Sequence, residues 1–174
     1  DILDNVITNI ALALRAERAS VVFYDNKADK LILQACYGIP EDVKGSSVNI
    51  MQTITGHVFR NGDPLIIANI EQEMKGFNFN VEEEGGSRAY KTRSFISIPI
   101  VFKSRIIGVL SLSDKKDHTS FNAFDYRVLS TVASQLAEIY QNYRYKQNIR
   151  ERQKLDQEIE IAAEIQRKIL PDIP

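Results

Sequence analysis

The sequence predicts an α+β fold, in which adjacent strands build an antiparallel sheet with helices packed outside it. Three observations carry this. Two β-branched and aromatic runs stand side by side near the start, and two more stand side by side after residue 94. A helical segment precedes the first pair. From about Asn122 to Leu170 the pattern is helical, with neither glycine nor proline to interrupt it.

The elements follow in order. Ile2, Leu3, Val6, Ile10, Leu12 and Leu14 recur at three-and-four spacing, which gives a helix one apolar face. Residues 19–24 read as a strand, 25–30 as a polar turn, and Leu31 to Tyr37 as the returning strand of a hairpin. Gly38 and Pro40 end it. A helix is expected over 51–61, stopped by Asn61-Gly62-Asp63-Pro64, and a short strand over Leu65 to Ala68. Residues 69–92 are polar and weakly patterned, the kind of stretch that often forms a binding loop. Phe95 to Phe102 and Ile106 to Leu112 are strands around a Lys103-Ser104-Arg105 turn. In the last helix Leu129, Val132, Leu136, Ile139 and Tyr143 step by three and four, as the seam of a coiled coil requires. The seam turns polar over 146–153 and resumes at Leu155, Ile159, Ala162 and Ile169.

Composition removes several function classes. The net charge is -1, from 22 Lys and Arg against 23 Asp and Glu, so no electrostatic case exists for nucleic acid or an anionic membrane. Cys36 is the single cysteine, which excludes an internal disulfide and a thiolate metal cluster. His57 and His118 are the only histidines and lie far apart in sequence, so no metal or haem site is expected. Glu82-Glu83-Glu84 lacks the alternating ligand spacing of a calcium loop. No apolar run approaches the ~20 residues of a membrane span, and the start has no signal-peptide pattern. A cytoplasmic location, no cofactor and no catalytic residue are the resulting expectations. The start without Met and the stop at Pro174 read as a segment of a longer protein.

Two resemblances sharpen the picture. Residues 55–67, Thr55-Gly56-His57 through Gly62-Asp63-Pro64 to Ile67, resemble the signature of the GAF domain, in which a Gly-containing helix runs through a Gly-x-Pro turn into a strand. Arg93 to Ile100 with Ile107-Gly108-Val109-Leu110 resembles its two central strands, and Phe121 to Asn142 its closing helix. The resemblance covers residues 1–145, taken as the sensor domain, and implies a six-stranded antiparallel sheet between helices. It implies a ligand pocket lined by Cys36, Tyr37, Thr55, Gly56, Gly85, Arg88 and Thr92, with Thr55 and Gly56 presenting backbone N–H groups to an anion and Arg88 pairing with a phosphate or carboxylate. Against each stands a bland alternative: helix packing for Thr55 and Gly56, a solvated charge for Arg88, a small buried hydrophobe for Cys36. GAF domains that bind cyclic nucleotides carry Asn-Lys…Phe-x-x-x-Asp-Glu. Here the equivalent is Asp114-Lys115…Phe121-x-x-x-Asp125-Tyr126, with two positions changed. The resemblance implies a structural Lys115–Asp125 ion pair, of the small value an exposed pair has, ~0–1 kcal/mol. The GAF-fold free methionine sulfoxide reductases rely on several cysteines, and one is present.

Residues 146–174 are taken as a signalling helix. Ala162-x-x-Ile165-Gln166-x-x-Ile169-Leu170-Pro171 resembles the segment that leads into the catalytic domain of stage-II-sporulation-E-like serine/threonine phosphatases, with Ile169 in place of a leucine. The implied function is that of a sensor and dimerisation module, controlling a C-terminal metal-dependent phosphatase in bacterial signal transduction. The partners are a second copy of the chain, a small molecule of unknown identity, and that phosphatase domain. The alternative is a cyclic-nucleotide-like receptor with another output.

Overall fold

A computed structural model describes residues 1–73 and 93–170. By internal contacts the chain forms two units, Asp1–Ala137 and Glu138–Pro174. The first unit is a six-stranded antiparallel sheet of order β3-β2-β1-β6-β5-β4, in an α+β arrangement.

Helix α1 (Ile2–Ala13) starts because the Asp1 carboxylate accepts from the Leu3 N–H, and it buries Leu3, Ile7, Ile10 and Ala11. It packs on β1 (Ala16–Asp25) and β2 (Lys30–Tyr37). These strands are closed by a turn in which Asp25 Oδ1 accepts from the Lys27 N–H at 2.8 Å. A bulge at Gln34 shifts the register, Val21 facing Ala35 while Val22 faces Leu33. That one extra residue changes which side chains of β2 reach which face. β3 (Ser47–Val48) adds a two-residue edge to β2.

Helix α2 (Ile54–Asn61) begins three residues later than periodicity suggests. Asn49 Oδ1 takes the N–H groups of Met51 and Gln52 in a turn of its own, and Thr53 then caps the helix. Gly62 ends it in a left-handed conformation, φ 76°. β4 (Leu65–Ile67) and a single helical turn, α3 (Ile70–Glu73), follow. β5 (Phe95–Phe102) and β6 (Arg105–Lys115) form a hairpin. Its two-residue turn, Lys103-Ser104, has both φ values positive (46° and 63°), the form that matches the twist of the strands.

One side of the sheet carries a core of Val22, Leu31, Leu33 and Val109 closed by Val58 of α2. Strand alternation sends Val21, Phe23, Leu110 and Leu112 to the other side, all essentially fully buried. Helix α4 (Ala123–Ile169) is 47 residues long. In the first unit it buries Leu129 and Ala133 at helical spacing, and Leu136 beside them. Leu129 and Leu136 are 0% exposed within the single chain. This corrects the expected seam at those two positions, since an apolar heptad face can as well cover the domain's own core. Val132 and Ile139 are half-buried, and Tyr143 is exposed. The second unit is helical from Glu138 and exposes Leu155, Ile159 and Ile169.

Candidate functional site

The site grows from how four strands are registered. Cys36 lies opposite Ser20, Ser20 opposite Ser111, and Ser111 opposite Ser97. Directly opposed residues share a face. Cys36 packs on the cluster that Val58 of α2 completes, so this row lies on the α2 side of the sheet. It is a band of small polar side chains between apolar ones. The Ser97 and Ser111 hydroxyls are 2.7 Å apart and satisfy each other. On the next rung Arg18 faces Ser113, and its Nε donates to Ser113 Oγ at 3.2 Å.

Arg18 also reaches Asp114, with side chains 9% and 12% exposed. Asp114 is a junction. Its Oδ1 accepts from the N–H groups of Arg93 and Ser94, at 2.8 and 3.1 Å, while its own N–H donates to the Ser94 carbonyl. The residue sits at φ 54°, a conformation that Asp tolerates better than most side chains. The departure from Asn at this position therefore has a structural role: it anchors β5 to the end of β6 and to β1.

Lys115 Nζ lies 2.7 Å from Asp125 Oδ2, the two side chains being 11% and 3% exposed. The same carboxylate accepts from the Asn122 N–H at 2.9 Å, while Asn122 Oδ1 accepts from the N–H groups of Phe124 and Asp125. This reciprocal cap starts α4. Lys115 also stands 5.5 Å from the centre of the Phe121 ring. The pair is thus buried and capped, not the exposed pair whose small value the sequence suggested. Tyr126, which replaces the family's Glu, is at the surface.

Of the expected pocket residues, Gly85, Arg88 and Thr92 lie outside the described residues, as does Pro171. Thr55 and Gly56 are buried in α2. The Gly56 N–H is taken by Thr53 Oγ1 at 3.0 Å, which corrects the reading of Gly56 as an anion donor. A glycine stands there because a Cβ would come within 2.1 Å of the Ile50 carbonyl oxygen. Tyr37 ends β2 with Lys116 Nζ 6.0 Å from its ring centre.

Cys36 is half-buried, its Sγ 3.9 Å from the Ile39 carbonyl oxygen. Burial, then the Asp4 charge, push the thiol pKa up. A raised pKa means less thiolate at neutral pH than in free cysteine. Iodoacetamide should therefore label Cys36 more slowly than free cysteine, with the rate still climbing above the pH where ordinary thiols level off. Labelling as fast as free cysteine at pH 7 would contradict this environment. Among the described residues no three His, Cys, Asp or Glu side chains converge as a metal would require, and no helix is long and apolar enough to cross a membrane.

The first unit is thus a six-stranded antiparallel sheet with a row of small polar side chains on one face. The GAF domain model matches residues 1–141, and the chain belongs to that family. It is 24% identical over 131 residues to the nitrogen fixation protein VnfA of Azotobacter vinelandii, covering 75% of this chain and 25% of that protein. The chain thus spans about a quarter of the length of this relative. The GAF domain of a phosphoenolpyruvate-protein phosphotransferase from Coxiella burnetii superposes with a TM-score of 0.72 at 21% identity, covering 83% of each chain. The segment of a methyl-accepting chemotaxis protein that spans its residues 122 to 287 superposes with a TM-score of 0.68 at 21% identity, covering 79% of this chain and 85% of that segment. At these identities the structures share the fold. The GAF domain is a regulatory sensor module, and its relatives include regulators and signalling proteins.

Proposed function

We propose that this chain is the sensor and dimerisation module of a bacterial cytoplasmic signalling protein, and that its output is a metal-dependent serine/threonine phosphatase following Pro171. The observation that carries the reading is α4, a single helix from Ala123 to Ile169 that holds the Ala162-to-Ile169 part of the phosphatase-like segment. Along its distal half Leu155, Ile159 and Ile169 are 56%, 59% and 72% exposed, and with Ala162 they step by four, three and seven. Such a stripe suits a parallel partner helix. Leu129 and Leu136 are committed to the core, so the homodimer proposed here would pair through this distal stripe. A helical seam transmits a signal when two packings differ by a few kcal/mol and a ligand favours one.

The test is one of helical phase in the full-length parent. Two residues inserted among 146–153 rotate the distal helix by roughly 200°, whereas seven restore the face after about two turns. Manganese-dependent hydrolysis of p-nitrophenyl phosphate should change with the two-residue insertion and return with seven. A parent that hydrolyses no phosphoester overturns the phosphatase output. Equal effects of both insertions overturn transmission through the helix.

A second reading, a receptor for a cyclic-nucleotide-like small molecule with another output, is favoured by the hydroxyl row of Ser20, Ser111 and Ser97. Saturating cyclic nucleotide, at ~100 times its dissociation constant, would add ~2.7 kcal/mol of stability. An unshifted melting temperature speaks against it.

A further inference from the structure

A polar cleft of about 380 Å³ lies at one end of the sheet. Among the described residues its walls come from five places: Glu17 on β1, Ala68 and Asn69 before α3, Arg93 and Ser94 before β5, Asp114 and Lys115 at the end of β6, and His118 to Ser120 beyond it. The volume falls in the range of small-molecule sites, ~300–1,000 Å³.

The walls are held in place. The N–H groups of Ala68 and Asn69 both donate to Glu73 Oε1, at 2.9 and 3.0 Å. The Ile70 N–H donates to the Arg93 carbonyl at 2.8 Å, tying that wall to the next. Asp114 pins Arg93 and Ser94 through its Oδ1. The Lys116 N–H reaches the Arg15 carbonyl, and the His118 N–H the Lys115 carbonyl. Two non-glycine residues on the lining, Asp114 and His118, sit at positive φ (54° and 59°). Such conformations cost energy and persist where the surroundings over-determine them.

The charges divide into those already matched and those left over. Asp114 is matched by Arg18, and Lys115 by Asp125. Among the described residues Arg93, His118 and Glu17 have no side-chain hydrogen bond or ion pair. Among the described lining residues the remainder is one guanidinium and one carboxylate, with the His118 imidazole and the Thr119 and Ser120 hydroxyls as hydrogen-bonding groups beside them. A simple anion would leave Glu17 facing like charge, and a simple cation would leave Arg93 doing so. A molecule with both charges matches the set.

We propose that this cleft is a second binding site, for a small zwitterion of the free amino-acid kind, its carboxylate held by Arg93 and His118 and its ammonium by Glu17. The proposal rests neither on pairing of the distal helix nor on the phosphatase output.

The two histidines make the test specific, because one lines the cleft and the other, His57, lies on α2. The whole chain is titrated with glycine, L-serine and L-leucine while the imidazole resonances are followed by NMR, with acetate and methylamine as half-ligands. At least one amino acid should move the His118 signals saturably and leave those of His57 in place. Acetate or methylamine alone should leave both sets of signals in place. Arg93→Ala and Glu17→Gln, both at the surface, should each weaken the effect roughly tenfold or more, as loss of a charged hydrogen bond does. The proposal is overturned if none of the three amino acids moves His118, if acetate moves it as far as an amino acid does, or if both variants bind as the parent chain does.

Discussion

Leu136→Glu should unfold the GAF domain, not merely separate a pair of subunits. Leu136 is 0% exposed in the single chain, inside the core that α4 closes. Cutting a buried leucine back to alanine costs ~2–5 kcal/mol. An unpaired carboxylate there adds the cost of burying a polar group without a partner, several kcal/mol more. Domain stabilities are ~5–15 kcal/mol in total, so the variant should have lost its cooperative thermal transition by circular dichroism. Leu155→Glu is the comparison. Its side chain is 56% exposed, and the melting temperature of the domain should hardly move. A folded Leu136→Glu monomer would show that α4 is not core at that position.

The second large effect is expected at Asp125. The carboxylate holds Lys115 at 2.7 Å and accepts the Asn122 N–H that opens α4. Asp125→Ala removes both and leaves an ammonium that is 11% exposed without a partner. Breaking a buried pair from one side costs ~3–5 kcal/mol, and loss of a helix cap ~1 kcal/mol. Replacing both partners, as in Lys115→Met with Asp125→Ala, should recover some of that loss because no charge is left stranded. Urea denaturation of the four members of the cycle measures it. A single-variant loss below about 1 kcal/mol would place the pair with ordinary surface ion pairs.

Much of the fold was legible because its strands alternate cleanly and the first helix has one apolar face. The misses have physical causes. β3 is two residues long, too short to show a period, so the sixth strand came only from the family resemblance. β1 starts at Ala16 and not at 19, because Arg18 reads as polar in sequence while its ion pair with Asp114 lets it sit in the sheet. The start of α2 was placed too early because Asn49 and Thr53 spend their side chains on a turn and a cap, which apolar spacing does not register.

The candidate site was less legible. The Lys115 and Asp125 pairing could be taken from the family motif, but not its burial. Ser20, Ser97, Ser111 and Arg18 were missed. Their signal was the Leu-Ser-Leu-Ser-Asp alternation of β6, read as strand evidence and not as a polar face. Which serines stand opposite one another depends on register across four strands, and a bulge at Gln34 resets some of that register. The misassigned seam at Leu129 and Leu136 has a related cause. A three-and-four apolar stripe is the same whether it covers a sheet or another helix, and only the fold decides between them.

Dimerisation through the distal helix is read most directly from the molar mass of the chain by light scattering, beside that of a Leu155→Ser, Ile159→Ser variant with an unchanged melting temperature. Twice the single-chain mass is expected for the parent, and a shift towards the single-chain mass for the variant. A parent that runs at the mass of one chain, or a variant that remains as firmly paired as the parent, would contradict a dimer held by the exposed stripe of α4.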